Sequence, residues 1–286
     1  MIPVFLILSC NKPDTQFERL LKKLRLFQNA IIYVHHDFSQ SDFDLSLKQK
    51  YNLIMPDKSY KTFWSHINNV EATWYALADI ENRFNYDWLI TLTPTCYPVK
   101  SISYIEQFLN TTDYDAFMEQ RLITSVPVIE LDKWIYRDMY HKRFRILKHD
   151  FFLKRNSKDV PFDNNFKIFH GSNYFMINRK TVRLLINQND KYRQLVGFYK
   201  SMNCEEQHPC PQEIVLQSLI LNNSSELNIC NNYYRFIKWE PHKWSPVYLE
   251  EKYFDDIFSS DALFARKFKS GISDRLIEKI DLRFFS

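Results

Sequence analysis

Three short runs of apolar side chains, without the alternation of a half-exposed strand, constrain this chain more than any other feature. They are residues 4–8 (VFLIL), 30–34 (AIIYV) and the centre of 87–93 (DWLITLT). Such runs predict strands buried on both faces, and hence a mainly parallel sheet with helices above and below. The intervening sequence supplies the helices. Asn11, Pro13 and Asp14 give a helix-start signal ahead of Phe17, Leu20, Leu21 and Leu24. A strand, helix and strand in this order cross over right-handed. Phe63, Ile67, Val70, Trp74 and Leu77 fall at the 4-3-4-3 spacing of an amphipathic helix over residues 62–82.

Further along, Pro94 and Pro98 end the third strand, and Ser103 with Glu106 predicts a capping box for a helix through Leu109. Residues 116–118 read as another strand. Residues 121–168 are rich in Arg, Lys, Trp and Tyr without a clear period, and predict a long surface excursion shaping an acceptor groove. A strand at 173–178 precedes a helix bearing Val182, Leu185 and Ile186. Pro211 suits the first turn of a helix running to about Leu221, and Ile272, Leu276, Ile277 and Ile280 mark a final helix. With no internal repeat and no low-complexity linker, the expectation is a single α/β domain over residues 1–286, its central sheet flanked by helices.

Composition removes several function classes. The only glycines are Gly171, Gly197 and Gly271, so neither a Walker loop nor a dinucleotide-binding loop can be built. A net charge of +4 suits an anionic small substrate, or weak attraction to acidic lipid, better than a dedicated nucleic-acid partner. Basic residues 137–155 and 266–275 keep nucleic-acid binding only as an outlying alternative. Five cysteines leave one unpaired and favour a reducing compartment. Cys204, His208 and Cys210 form an incomplete metal-ligand set. The apolar start MIPVFLILSC is too short to cross a bilayer and lacks preceding basic residues, and no later run approaches about 18 apolar residues. The expected location is cytoplasmic, with peripheral contact at the inner face of a membrane as a variant.

Ligands of open α/β sheets bind beyond the carboxyl ends of strands. Three such ends are polar here: Ser9-Cys10-Asn11, His35-His36-Asp37 and Thr93-Pro94-Thr95-Cys96. Asp37 suits a ribose or uracil hydrogen bond, and equally a turn or cap. No carboxylate lies between Thr91 and Val99, where many nucleotide-sugar enzymes hold a cation. Asp42-Phe43-Asp44 and Asp113-Tyr114-Asp115 match the short acidic pattern at other places. Without a metal, a departing diphosphate needs fixed cations. Arg266 and Lys267, set between Phe264 and Phe268, are the best source, and Arg235 in Tyr234-Arg235-Phe236 is the next; ordinary surface charge is the bland alternative. Glu213, after Pro211-Gln212, falls in a first helical turn, where a carboxylate is stabilised and aimed. It could take a proton from an attacking hydroxyl, although a Glu there is also common for structural reasons.

Seven stretches in order, ILSCNKP, IIYVHHDFS, FWSHINNVEA, LITLTPTCYPVKS, HGSNYFMINR, CPQEIVLQSLI and LFARKF, resemble the core 2/I-branching β-1,6-N-acetylglucosaminyltransferase family, which includes the peptide O-xylosyltransferases. The resemblance runs from about residue 4 to residue 281. It implies a GT-A type fold, a UDP-sugar donor, inversion at the anomeric carbon and no divalent metal or other cofactor. It implies Glu213 as catalytic base, Lys267 and Arg235 on the diphosphate, and His35 and Asp37 as the family's His-x-Asp; Asn11 joins this donor set. Gly171 and Ser172 match its Gly-Ser pair, and with Tyr174 and Glu119 they are assigned to the acceptor. Residues 1–120 then form the nucleotide-sugar half, and 121–286 the acceptor and catalytic half with the diphosphate-binding C-terminal segment.

Three departures stand out. Thr93-Pro94-Thr95-Cys96-Tyr97-Pro98 replaces the usual Ser-Gly-x-Asp-Tyr-Pro, Trp64-Ser65 replaces Trp-Gly, and Gln212 replaces the Asp before the Glu. They leave UDP-GlcNAc, UDP-xylose and other UDP-sugars open as donors. The expected setting is a bacterial relative acting on a glycan or lipid-linked glycan during surface polysaccharide synthesis. The contrasting reading is a non-catalytic glycan-binding or assembly protein on a decayed transferase fold.

Overall fold

The structure is a computed structural model that describes residues 1–202, 210–241, 243 and 245–285. The chain opens with strand β1 (Pro3–Ser9), helix α1 (Thr15–Leu24), β2 (Ile31–His36), α2 (Leu45–Lys50), α3 (Ile67–Arg83), β3 (Trp88–Leu92), β4 (Cys96–Pro98), α4 (Ile102–Thr111) and β5 (Ala116–Phe117). It continues through β6 (Arg121–Ile123), α5 (Glu130–Tyr140), β7 (His141–Ile146), β8 (His149–Lys154), β9 (Ile168–His170), β10 (Met176–Asn178), α6 (Arg179–Ile186) and α7 (Asn189–Lys200). The last part holds α8 (Val215–Leu221), β11 (Ile229–Cys230), β12 (Arg235–Ile237), α9 (Phe254–Ser259), β13 (Phe264–Arg266) and α10 (Asp274–Phe284).

Six strands form the central sheet in the order β11-β5-β10-β3-β1-β2. β1 runs parallel to β2 and β3, and β11 parallel to β5, while β10 is antiparallel to both its neighbours. The expected mainly parallel sheet is present, with β10 as its one reversed strand. The apolar runs are continuous because successive side chains enter different layers. Val4, Leu6, Tyr33, Leu89 and Ile177 pack with α3, α6 and α8 on one face. Phe5, Ile7, Val34, Ile90 and Met176 pack with α1 and α4 on the other.

A second sheet, β12-β13-β4, was not legible in the sequence. β12 and β13 are parallel, and β13 is antiparallel to β4, setting Arg266 opposite Cys96. Its outer face carries a third apolar cluster with Tyr97, Phe268, Leu276 and Ile280. Three-residue strands are too short to show a period, so only pairing reveals them.

Several boundaries move for local reasons. The helix expected from residue 62 begins at Ile67, because Ser65 has φ +56° and His66 is the N-cap, its side chain accepting from Asn68 N. Ser101, not Ser103, caps α4. The helix expected from Pro211 splits: residues 211–213 make a 3-10 turn, Ile214 leaves helical geometry, and α8 follows. Ile272 lies outside α10, and β10 begins three residues later than expected. The long surface excursion expected over residues 121–168 carries β6, α5 and the β7–β8 hairpin and leads into β9.

Candidate active site

The carboxyl ends of β1, β2 and β3 converge as the topology requires. Asp37 N donates to Ser9 O at 2.9 Å, joining two of them. Asp37 is buried, and its carboxylate accepts from Ser39 N and Oγ, Gln40 Nε2, and Thr62 N and Oγ1. Burial works against its charge, but the Ser39 and Thr62 hydrogen bonds more than offset it and hold the carboxyl below the usual range. His35, also buried, accepts from Tyr60 N on Nε2 at 2.9 Å, and burial pushes its imidazole down to about 4. In this geometry both side chains clamp residues 59–62 over the end of β2, the turn-forming alternative for Asp37. Asn11 lies exposed just past β1.

Beyond β3 two arginines gather, and neither forms an ion pair with a carboxylate among the described residues. Arg235 on β12 is 7% exposed. Its guanidinium carbon stands 4.5 Å from the Phe264 ring, and Nη2 donates to Thr91 O at 3.3 Å. Nε and Nη1 have no partner among the described residues. Burial lowers this guanidinium to about 10. Arg266 lies over the Tyr174 ring at 4.7 Å, with Nε likewise buried and unpartnered. Tyr174 is raised to about 12, burial outweighing the nearby Arg266 charge. Cys96, at the position where the resemblance expects Asp, is fully buried. Lys267 turns elsewhere: its Nζ reaches Ser245 Oγ at 3.1 Å and sits over the Tyr248 ring. β13 ends at Arg266, and Lys267 lies just beyond it, so the two cations make separate contacts.

Glu213 lies on the 3-10 turn ahead of α8. Its Oε2 is 3.3 Å from His170 Nε2. Arg121 Nη2 approaches His170 Nδ1 at 3.3 Å, and Arg121 Nε donates to buried Asp132 at 2.6 Å. A guanidinium can only donate, so Nδ1 accepts and the ring proton sits on Nε2, pointing at Glu213. Gly171 N donates to Glu213 O at 2.9 Å. A Cβ on Gly171 would lie 1.9 Å from Glu119 O, so no other residue fits between Glu119 and Glu213. Ser172 Oγ accepts from Tyr174 N, and Gln217 Nε2 donates to Ser172 O at 2.7 Å. Residues 171–174 thus link Glu213 at one end to the Tyr174–Arg266 stack at the other.

The Ser65 departure has a visible compensation. At φ +56° a glycine would be unstrained, but the Ser65 hydroxyl accepts from Cys210 N at 3.1 Å, bracing the residue that opens the Glu213 turn. Tyr233, half-buried beside Glu119, Arg235 and Arg266, and the His170–Arg121–Asp132 chain carried no role in the sequence reading. His170 sits next to the Gly-Ser pair within a quoted stretch, which was the available signal. Arg121 and Asp132 gave none.

The acidic pairs serve structure. Asp44 caps α2, and Asp115 holds Asn228 N, Asn178 and Lys180 at the amino end of β5, the wrong end of the sheet for a ligand. Cys204 and His208 lie outside the described residues. Among the described residues, no three His, Cys, Asp or Glu side chains converge in a metal-binding group.

A mainly parallel six-stranded sheet of this order, flanked by helices and with polar strand ends, is the GT-A type glycosyltransferase architecture. The sequence model of the Core-2/I-Branching enzyme matches residues 4–257, and the chain belongs to that family. Mouse (Mus musculus) beta-1,3-galactosyl-O-glycosyl-glycoprotein beta-1,6-N-acetylglucosaminyltransferase 4 is 21% identical over 252 residues, 83% of this chain and 53% of the relative. Arabidopsis thaliana beta-glucuronosyltransferase GlcAT14C is 23% identical over 207 residues, 69% of this chain and 49% of the relative. The chain therefore spans about half the length of these curated relatives. The crystal structure of galactosyltransferase LgtC with donor and acceptor sugar analogs is similar over 100% of this chain and 97% of its own, at 10% identity and a TM-score of 0.43.

Proposed function

We propose that this chain is an inverting glycosyltransferase that moves a sugar from a UDP-sugar to a hydroxyl of a glycan acceptor without a divalent metal. The observation that carries the reading is Arg235: among the described residues, a buried guanidinium with two unpartnered nitrogens and no paired carboxylate, next to Arg266 with a third. Burying an uncompensated cation is costly, and an anionic ligand removes the cost. The diphosphate of a nucleotide sugar has the required charge, and Lys267 joins as a third cation once its side chain leaves Ser245.

In this reading, Glu213 takes the acceptor hydroxyl proton as that oxygen bonds to the anomeric carbon. The bond from that carbon to the phosphate oxygen breaks, and its electron pair leaves with the diphosphate, met by Arg235 and Arg266. His170 holds Oε2, so Oε1 faces the acceptor. Glu119, Gly171, Ser172 and Tyr174 line the acceptor side. UDP-GlcNAc and UDP-xylose are the first donors to try, and a glycan or lipid-linked glycan of bacterial surface polysaccharide the first acceptor class. The bracing of Ser65 supports an intact site over a decayed one.

Calorimetry with UDP in excess EDTA tests the carrying observation. Binding at undiminished affinity is expected. Binding that vanishes in EDTA and returns with manganese would replace the arginines by a metal.

A further inference from the structure

The hairpin β7–β8 reverses the usual order of a soluble surface. Its register pairs Lys142 with Leu153, Phe144 with Phe151 and Ile146 with His149 on one face, and Arg143 with Phe152 and Arg145 with Asp150 on the other. The second face is the supported one: Arg143 and Arg145 both bond Asp150, and Arg137 of α5 lies 4.3 Å over the Phe152 ring. The first face carries Phe144, Ile146, Phe151 and Leu153, all exposed. Leu147 at the tip is 92% exposed and has φ +57°, where a two-residue turn in water ordinarily takes Asn or Gly. An isolated two-stranded ribbon is marginal in water, and an apolar face presented outward marks an interaction site.

Charge selects the partner. Residues 141–155 hold six Lys or Arg against one Asp, a net +5, whereas the whole chain is +4. The remaining 271 residues therefore sum to −1. A second copy of this hairpin would set +5 against +5. Nucleic acid would meet Ile146, Leu147 and Leu153, which cannot stack on bases. An anionic bilayer matches both features: aliphatic and aromatic tips enter the headgroup boundary while Lys142 and Lys148 stay with the phosphates. We propose that β7–β8 docks the protein on an anionic membrane surface through Phe144, Ile146, Leu147, Phe151 and Leu153. α5 leads directly into this hairpin and carries Asp132, which ties to Arg121 and His170 beside Glu213, so docking would hold the acceptor side close to the lipid.

Co-flotation of the full chain with phosphatidylcholine vesicles, with and without about 30% phosphatidylglycerol, tests this. Binding is expected only to the anionic vesicles, weakening about fivefold for each of Lys142→Gln and Lys148→Gln, and at least about tenfold for Leu147→Asp. Thermal melting and UDP binding of each variant should match the parent, since the proposal does not depend on the catalytic reading. Absence of vesicle binding, equal binding to neutral vesicles, or unchanged binding by Leu147→Asp would overturn it. A dimer broken by Leu147→Asp, or salt-sensitive RNA binding lost with the lysines, would assign the face to another partner.

Discussion

Arg235 and Arg145 are the same residue type in two regions that treat it oppositely. Arg235 is walled into the crevice beyond β3, stacked on Phe264, with two nitrogens unpartnered. Arg145 stands exposed on β7 and shares Asp150 with Arg143. Aromatic support does not distinguish the regions, because Arg137 stacks on Phe152 beside the hairpin much as Arg235 stacks on Phe264. Burial without a counter-charge does. In the crevice a cation is costly until an anion arrives, which makes it a binding device. On the hairpin, solvent and a shared carboxylate already satisfy it, so its value lies in the long-range field.

The sharpest test of the crevice is its carboxylate. Glu213→Gln is expected to lower transfer by roughly 10²-fold or more with UDP affinity unchanged. His170→Leu should lower kcat by about tenfold with little change in KM, and His170→Gln, which returns an N–H near the Nε2 position, should recover most of it. Loss of both kcat and folding in the two His170 variants alike would mark a structural role instead.

Arg235→Met should separate binding from stability in opposite directions. UDP affinity is expected to fall about 10- to 100-fold, while the unliganded protein gains about 1–3 kcal/mol, or a Tm rise of about 2–6 °C. A lower Tm would mean that the guanidinium is satisfied in the free protein and would break the contrast with the hairpin.

The pH response comes next in size. Burial holds the folded-state pKa of His35 near 4, below the ordinary 6.5. As pH falls below 6.5 the unfolded chain takes up a proton that the folded chain refuses, so stability is lost progressively down to about pH 4. Between pH 7 and pH 5 this amounts to about 1–2 kcal/mol, a Tm drop of about 2–5 °C. Asp37 is depressed below its ordinary 3.8, so its contribution is present above that value and lost only further into acid. Melting curves of His35→Gln should flatten across pH 5–7. Smallest of all, Arg145→Ala should shift stability by less than about 0.5 kcal/mol, since Arg143 keeps Asp150. A Tm change of several degrees would show that the hairpin's polar face is structurally coupled to the body.

Much of the scaffold was legible. Residues 4–8 and 30–34 became β1 and β2 because burial on both faces leaves an unbroken apolar run in the sequence. Gly171, which opens the 171–174 segment, donates its N–H to Glu213 O, a contact the sequence did not show. Asp37 and Arg235 show where reading stopped. One Asp after a strand fits a ligand or a turn equally, and only its five donors favour the turn. Arg235 fitted a phosphate cation or ordinary surface charge, and only the pairing of β12 with β13 shows it buried.

What the sequence by itself determined was the set of elements whose side chains repeat with a period: the parallel strands, the amphipathic helices and the family to which they belong. What the tertiary structure decided was partnership. Short-strand pairing across β4, β12 and β13, the proton placement on His170, and the outward apolar face of β7–β8 all depend on contacts between residues distant in the chain or on the side of a ribbon left uncovered. Periodicity is a local property of a chain, whereas burial of a charge and exposure of an apolar face belong to the folded whole.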